Sequence, residues 1–540
     1  MVCAVLAIAG GVVLARAGWV QLVAADALAT AASLTEQSDG GYRFEYNPRL
    51  LAAARLIERG SIYDRKGLPL ASSKPEEIAA VPALYRAAGL TASPCPAGAR
   101  CYPLGATAFH VLGDWTTQAN WGAPNSSYVE RDRDIRLKGF DDHPRVVEVA
   151  SPRTGVRTRT TLRDYAEVLP LARDRFRRNP AAVRALLARD RNVHLSLDAR
   201  LQTRVAATLR QRMDAAGHAR GAAVVLDVAS GGVLASVSYP QPAVGGVALE
   251  RGSTSRASGD RTERRHHVES DVSAALLDRA RYGLYPPGST FKMLVAAAAM
   301  RAQAVPDDRT FACIRLPDGR VGNYVRGWTR PVRDDPMDRM PHGLVDLRHG
   351  LIVSCNAYFA QLAAALGPGP VLHAATLFGI DVARPQTEAG LRRTIAHAGY
   401  GQGEVLVSPL KMARVAAAVA HDGEVAAIRW SSDGDDPPAP VQRLLPPAQA
   451  RALGRYLRDA VTSGTGRTLT DNPVAIAGKT GTAEVDGAAA HSWFAGFAPF
   501  GADRQVAFAV IVENAGYGAR SAAPIAGELA TAARELGLVK

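Results

Sequence analysis

The chain has 540 residues, 47% hydrophobic and 21% charged, which excludes disorder as its main state and at roughly 150 residues per domain suggests several cores. Its five cysteines exclude a disulfide-stapled scaffold, and a single uncharged apolar stretch near spanning length excludes a polytopic membrane protein. The net charge is +13, yet only seven of the 64 basic residues are lysines. The arginines are scattered, mostly beside acids as in Arg131-Asp132-Arg133-Asp134, without the motif context of a nucleic-acid interface. We therefore expect no nucleic-acid partner, but a basic surface suited to an anionic membrane or cell-wall polymer.

Val2 to Ala15 is uncharged and apolar, Arg16 interrupts, and Ala17 to Ala24 continues apolar apart from Gln21. The first run falls short of the ~20 residues a bilayer requires, and no basic segment precedes it. Three readings are open: an anchor lacking upstream residues, an anchor in which Arg16 snorkels to the interface, or a signal peptide cleaved within Ala24 to Ala32. We take residues 1–24 as a membrane anchor, with the body outside the cytoplasm.

Gln37 to Ser73 is mixed and polar, and Asp64 to Gly67 reads as a turn joining two short strands. Cys95 and Cys101 flank a Pro/Gly-containing turn and could close a small disulfide loop; Cys313 and Cys355 could pair or remain buried thiols. Asn120 to His143 reads as loop, and Asp164 to Asp190 has helical spacing of Leu169, Leu171, Val183 and Leu187. The character changes at Val193. His194 to Asp198 alternates like a strand, Leu201 to Met213 reads as an amphipathic helix, and Ala222–Asp227 with Val233–Tyr239 forms a hairpin. Pro240 to Glu269 is a Gly/Ser/Arg-rich loop. Helical patterns resume at Thr290, and Ser492–Ala498 with Gln505–Glu513 makes a second strand pair before a helix from Pro524 to Leu536. Strands at both ends with helices between imply an α/β domain over 191–540, preceded by an N-terminal module over 25–190.

Three strings stand in order: Ser289-Thr290-Phe291-Lys292, Ser354-Cys355-Asn356 and Lys479-Thr480-Gly481-Thr482. Pro286-Pro287-Gly288 forces a turn before Ser289, which places the serine at a helix N-terminus. Lys292 lies three residues on, on the same helical face and within reach of the serine oxygen. A serine needs a base to become a nucleophile, and a buried lysine can serve where arginine cannot deprotonate. In a chain that otherwise uses arginine almost everywhere, Lys292 and Lys479 are informative. S-x-x-K alone is weak, since Ser408-Pro409-Leu410-Lys411 repeats it as an ordinary helix cap. The joint occurrence of the other two strings decides, with K-T-G-T placed before the strand Ser492–Ala498.

Together the strings resemble the signature of penicillin-binding proteins and serine β-lactamases. Tyr285 to Lys292, Leu195-Ser196-Leu197-Asp198, Gly401-Gln402-Gly403, Gly464-Thr465-Gly466 and Trp493-Phe494-Ala495-Gly496 are similar to the transpeptidase version. Arg59 to Arg65, Tyr102 to Gly105 and Val111-Leu112-Gly113 resemble the non-catalytic pedestal of class B members. Two departures stand out, Asp278-Arg279-Ala280 for Asn-Arg-Ala and Cys355 in the middle of S-x-N, and neither is expected to touch a group the mechanism needs.

The resemblance implies a central antiparallel sheet flanked by helices plus a helical subdomain, an α+β pedestal and a membrane anchor. It implies a peptidoglycan D,D-transpeptidase acting on stem peptides through an acyl-enzyme and inhibited by β-lactams. Ser289 would be the nucleophile, Lys292 its base, Ser354 the proton relay and Lys479 the local positive charge. Asn356 would bind the substrate amide, and Thr480, Gly481 and Thr482 its carboxylate end, with Ser289 and Thr482 N–H groups holding the oxyanion. No metal or organic cofactor is implied, and the twelve histidines show no ligand spacing, so core or surface roles are expected for them. A SEDS-type glycan polymerase in the same inner membrane is implied as partner, with the catalytic domain on the extracytoplasmic side.

The rivals are distinguishable. A bifunctional polymerase would carry paired glutamates in an acidic motif, which residues 30–190 lack. A β-lactamase needs a water-activating group, and Glu388-Ala389-Gly390-Leu391-Arg392 approaches the class A string but ends in arginine, which accepts no hydrogen bond. A D,D-carboxypeptidase, or a non-catalytic penicillin sensor or scaffold, would keep the same motifs.

Overall fold

The computed structural model describes residues 2–38, 40–151, 155, 157–174, 177, 179–242, 274–302, 309–434 and 442–540. At the N-terminus, the helix Val2–Gly18 runs into a π-helical turn Trp19–Val23 and a short helix Ala25–Thr30. Arg16 does not break the helix; its guanidinium lies 4.8 Å over the Trp19 ring. Val5–Val23 is therefore one apolar stretch of 19 residues with a mean hydropathy of 1.7, long and apolar enough to cross a membrane.

The strands Ile62–Tyr63 and Pro69–Ala71 pair antiparallel around the expected turn, which Asp64 closes by accepting the Lys66 and Leu68 N–H groups at 2.8 Å. Val193–His194 joins them in parallel beside Ile62–Tyr63. Leu195, Leu197 and Ala199 pack into the same core as Ile62, Leu70, Val81 and Tyr85. The start of the second half is thus seated in the first, and the strand expected over His194–Asp198 ends at His194. The region 120–143 is not all loop, for Val129–Asp132 and Asp134–Lys138 are short helices. Asp164–Asp190 is broken into Ala166–Val168, Leu169–Arg173 and Ala181–Leu187, with Pro180 preceding the last piece. Cys95 and Cys101 form a disulfide with Cα atoms 4.9 Å apart. Cys313 and Cys355 are buried free thiols.

The larger half is built on an antiparallel five-stranded sheet, in the order Ala477–Val485, Ala488–Ala498, Val506–Val512, Gly221–Asp227, Val233–Tyr239. Period-2 alternation sends Val224, Leu226, Ala509 and Ile511 to one core, and Ala223, Val225, Phe508 and Val510 to another. Both faces are covered, so Val506–Val512 is buried throughout and reads as an unbroken apolar run. Ala199–Ala216 and Ala522–Glu535 cover one face. Pro409–Ala420 and Pro447–Thr462 cover the other, and Lys292–Ala302 packs against helices in the same core. From Lys292 to Met300 every side chain is buried, and alanine at four consecutive positions, 296–299, lets neighbouring elements approach closely. The segment Pro240–Glu269 lies, from residue 243 onward, outside the described residues.

Candidate active site

Ser289 occupies a single 3-10 turn, Gly288–Phe291, that continues directly into the helix Lys292–Ala302. The turn is held from outside. Trp493 Nε1 donates to the Pro286 carbonyl at 3.1 Å, Gly288 N–H donates to Gly401 at 2.9 Å, and Thr290 Oγ1 donates to Pro287 at 2.8 Å. Gly288 has φ +53°, and a Cβ there would stand 2.5 Å from the Thr482 carbonyl oxygen. Gly401 has φ +77°, and a Cβ on it would meet the Gly288 carbonyl oxygen at 2.1 Å. These glycines let the Ser289 turn, the Gly401 loop and the K-T-G-T strand approach backbone to backbone.

The K-T-G-T string precedes the strand of Trp493, as expected, and itself forms the edge strand Ala477–Val485, in register with it as Lys479 opposite Ala495 and Thr482 opposite Ser492. Lys479 is buried and donates to Thr465 Oγ1 and the Thr480 carbonyl, both at 3.2 Å. Thr465, from the Gly464-Thr465-Gly466 string, also shares a 2.7 Å hydrogen bond with Thr480 Oγ1. Burial first, and the Lys292 charge second, push the Lys479 amine well below an ordinary lysine.

Ser354 and Asn356 lie where the helix Leu347–Ile352 turns into Asn356–Leu366. Ser354 holds φ +60°, a strained backbone for a residue with a side chain. That geometry offers Lys292 a pocket of oxygens. The fully buried Lys292 ammonium donates to the Ser354 carbonyl at 2.5 Å, Ser354 Oγ at 3.2 Å and Asn356 Oδ1 at 2.7 Å. Among the described residues no hydrogen bond joins Ser289 Oγ to Lys292, whose ammonium is directed to Ser354 and Asn356. Burial brings Lys292 down to about 8, against the pull of the Asp334 carboxylate.

Asp334 was not among the residues singled out from sequence, yet it organises the second string. It is buried, and its Oδ1 accepts the N–H groups of Asn356 and Ala357, the latter at 3.2 Å. Its Oδ2 accepts the thiols of Cys313 at 3.0 Å and Cys355 at 3.2 Å. Cys355 also caps the helix, its Sγ accepting the Tyr358 N–H at 3.2 Å. The thiol of the middle residue of S-x-N thus reaches Asn356 only through Asp334. His342 places Nδ1 3.4 Å from Cys313 Sγ and 3.5 Å from Asp334 Oδ2. Burial alone would raise the Asp334 carboxyl, but bonds from His342 and the thiols, with the Lys292 charge, hold it down at about 2. The donor atoms of Cys313, Asp334, His342 and Cys355 all lie within 4.8 Å of one another, the one cluster among the described residues with ligands suited to a soft cation.

The other sequence candidates fall elsewhere. Ser408 is the helix cap expected, with Pro409 first in its helix. Glu388 is exposed and opens the five-residue helix Glu388–Arg392, a surface position without the enclosure a water-activating base requires. Asp278 is buried and accepts Ser238 Oγ at 3.1 Å, holding a loop to the sheet.

Residues 221–531 match the family described as penicillin binding protein transpeptidase domain. A peptidoglycan D,D-transpeptidase PbpA of Mycolicibacterium smegmatis is 31% identical over 352 residues, 59% of this chain and 68% of that protein. A peptidoglycan D,D-transpeptidase MrdA of Acinetobacter baumannii is 27% identical over 387 residues, 62% of this chain but 52% of that protein. Penicillin-binding protein A of M. tuberculosis, solved as an imipenem acyl-enzyme complex, superimposes with a TM-score of 0.59 at 23% identity over 89% of this chain and 100% of that one. Pseudomonas aeruginosa PBP2 in complex with WCK 5153 does so with a TM-score of 0.61 at 23% identity, over 88% of this chain and 95% of that one. The structural likeness carries the fold and the matched residues carry the family: this chain belongs to the penicillin-binding protein transpeptidases, of class B.

Proposed function

We propose that the chain is a serine D,D-transpeptidase that crosslinks peptidoglycan stem peptides through an acyl-enzyme on Ser289, the same serine that β-lactams acylate. The observation that carries this reading is the convergence on one cleft of three separate elements. These are the Ser289 turn, the Ser354–Asn356 turn that binds Lys292, and the edge strand of Lys479. Ser289 Oγ attacks the carbonyl between two terminal D-alanines, and Lys292 takes its proton. Burial supports that role, because it brings the amine near neutral pH. The ammonium now rests on Ser354 and Asn356, so a substrate amide that engages Asn356 Oδ1 frees Lys292 to turn toward Ser289. Ser354 returns the proton to the departing D-alanine amine, and an amine from a neighbouring stem takes the acyl group. The N–H groups of Ser289 and Thr482 hold the oxyanion, and Thr480, Gly481 and Thr482 receive the substrate carboxylate beside Lys479. The Val5–Val23 helix anchors the chain in the inner membrane with this site on the extracytoplasmic side, next to a SEDS-type glycan polymerase.

The test is intact-mass analysis of the chain with a fluorescent penicillin, followed over hours and repeated with Ser289→Ala. A long-lived adduct on the wild type alone is expected. Loss of the adduct within seconds would replace the reading by a β-lactamase, and no adduct on a folded chain would leave a non-catalytic scaffold.

A further inference from the structure

Among the described residues no strand pairs with the outer edge of Ala477–Val485. The Thr482 carbonyl turns toward Gly288 and the Ser289 turn. Backbone direction alternates along a strand, so residues 480, 482 and 484 present their N–H and C=O groups to that open edge. Side chains alternate too. Lys479, Gly481 and Ala483 are buried, whereas Thr482 is half-buried and Glu484 exposed. The register slips here, with Ala483 opposite His491 but Val485 opposite Ala488, which leaves Glu484 outside the ladder. Its carboxylate makes no hydrogen bond or ion pair among the described residues. Tyr400 packs with Val332 and Ala360 on the Asn356 side, and its hydroxyl lies 2.8 Å from His397 Nδ1. Burial first, then the carboxylates of Glu484 and Asp334, push that hydroxyl up to about 12. Glu484 therefore faces the gap between the K-T-G-T strand and the Asn356 side.

We propose that Glu484 selects stem peptides in which the residue ahead of the two D-alanines ends in a free amine, of the lysine or diamino-acid class. The inference rests on the reaction assigned to Ser289, which sets the terminal carboxylate at Thr480 to Thr482 and the scissile carbonyl at the Thr482 N–H. A peptide added antiparallel to an edge strand, with its C-terminus at residue 480, runs its preceding residues toward 484. Strand pitch of about 3.4 Å per residue puts Glu484 about 7 Å beyond Thr482. That is within reach of a long side chain on the residue ahead of the D-alanines. A carboxylate without a partner of its own gains from an ammonium and offers nothing to a neutral or acidic side chain. The net charge of +13 repels cations in general, so a preference for the amine has to come from a local carboxylate.

The experiment uses the full chain in detergent and two penicillins, one with an ω-aminohexanoyl amide and the other its N-acetyl twin. The aminohexanoyl chain is a lysine residue without its α-amine, so it carries the ammonium where the stem would. Acylation rates are followed by intact mass. The free amine should acylate about three- to fivefold faster at low salt, the worth of one exposed ion pair. At about 0.5 M salt the ratio should fall toward one, because exposed charges are screened. Glu484→Gln should erase the preference and Glu484→Lys should invert it, with near-UV dichroism checking the fold. The wild type decides even if a variant fails to fold. Equal rates at low salt, or a ratio that salt leaves unchanged, overturn the proposal while the adducts uphold the reading of Ser289. A preference that survives Glu484→Gln overturns it as well. Absence of both adducts removes the Ser289 reading itself, and this inference with it.

Discussion

Lys292 is the base of the proposed reaction, and its side chain is fully buried. A lysine whose amine titrates near about 8 rather than 10.5 gives up its proton first in the folded state. The desolvation penalty on stability is therefore full below about 8 and fades as pH rises from there toward 10.5. The neutral base becomes available over the same window, so acylation of Ser289 by a penicillin should rise with pH around a midpoint of about 8 and then level. A flat profile by stopped-flow fluorescence would show that another group takes the proton. Lys292→Arg keeps the charge but cannot deprotonate, and should slow acylation by on the order of a hundredfold to ten-thousandfold. Circular dichroism should be unchanged in that variant.

The approach of three backbones at Gly288, Gly401 and Thr482 is what turns separate elements into one cleft. Gly401→Ala would place a methyl 2.1 Å from the Gly288 carbonyl oxygen on a φ of +77°. It should cost on the order of 2 kcal/mol or more in urea unfolding and depress penicillin acylation strongly. Gly487→Ala shares the positive φ, at +72°, but would meet nothing within 4 Å. It should cost about 1 kcal/mol and leave acylation intact. Equal effects from the two would mean that conformational freedom, rather than close approach, is what Gly401 supplies. The N-terminal helix shows the same economy: Arg16 sits over Trp19 without interrupting the helix, which then reaches spanning length.

In the whole molecule the N-terminal and larger halves share residues 193–199, which pack into the core of the first. Inside the N-terminal half, the fully buried Glu130 binds Arg59 at 2.8 Å, Arg100, and the Tyr102 hydroxyl at 3.1 Å. Glu130→Ala leaves buried guanidinium charge uncompensated, and should destabilise the N-terminal half by about 3–5 kcal/mol. If the two halves are coupled, the unfolding of the Ser289 domain should shift with it; an unchanged second transition in calorimetry would show them to be independent. Deleting residues 2–23 should move the chain from the membrane to the soluble fraction while leaving penicillin acylation unchanged, because among the described residues none of the Val5–Val23 stretch is buried against the rest of the chain.

The strings Ser289 to Lys292, Ser354 to Asn356 and Lys479 to Thr482 were legible because their meaning is local. Three residues on one helical turn, or alternate residues on one strand, face a common side by backbone geometry alone. The hairpin Gly221–Asp227 with Val233–Tyr239 was readable from its two apolar runs for the same reason. Pieces such as Leu169–Arg173 and Ala181–Leu187 were not, because a helical apolar period does not reveal where a chain bends to pack. Nor did any spacing announce the cluster of Cys313, Asp334, His342 and Cys355, or the oxygens on which Lys292 rests. Sequence by itself determined which chemistry the chain carries. Only tertiary structure decided which distant side chains share a buried volume, because that depends on how whole elements pack and not on the short reach of the backbone between neighbours.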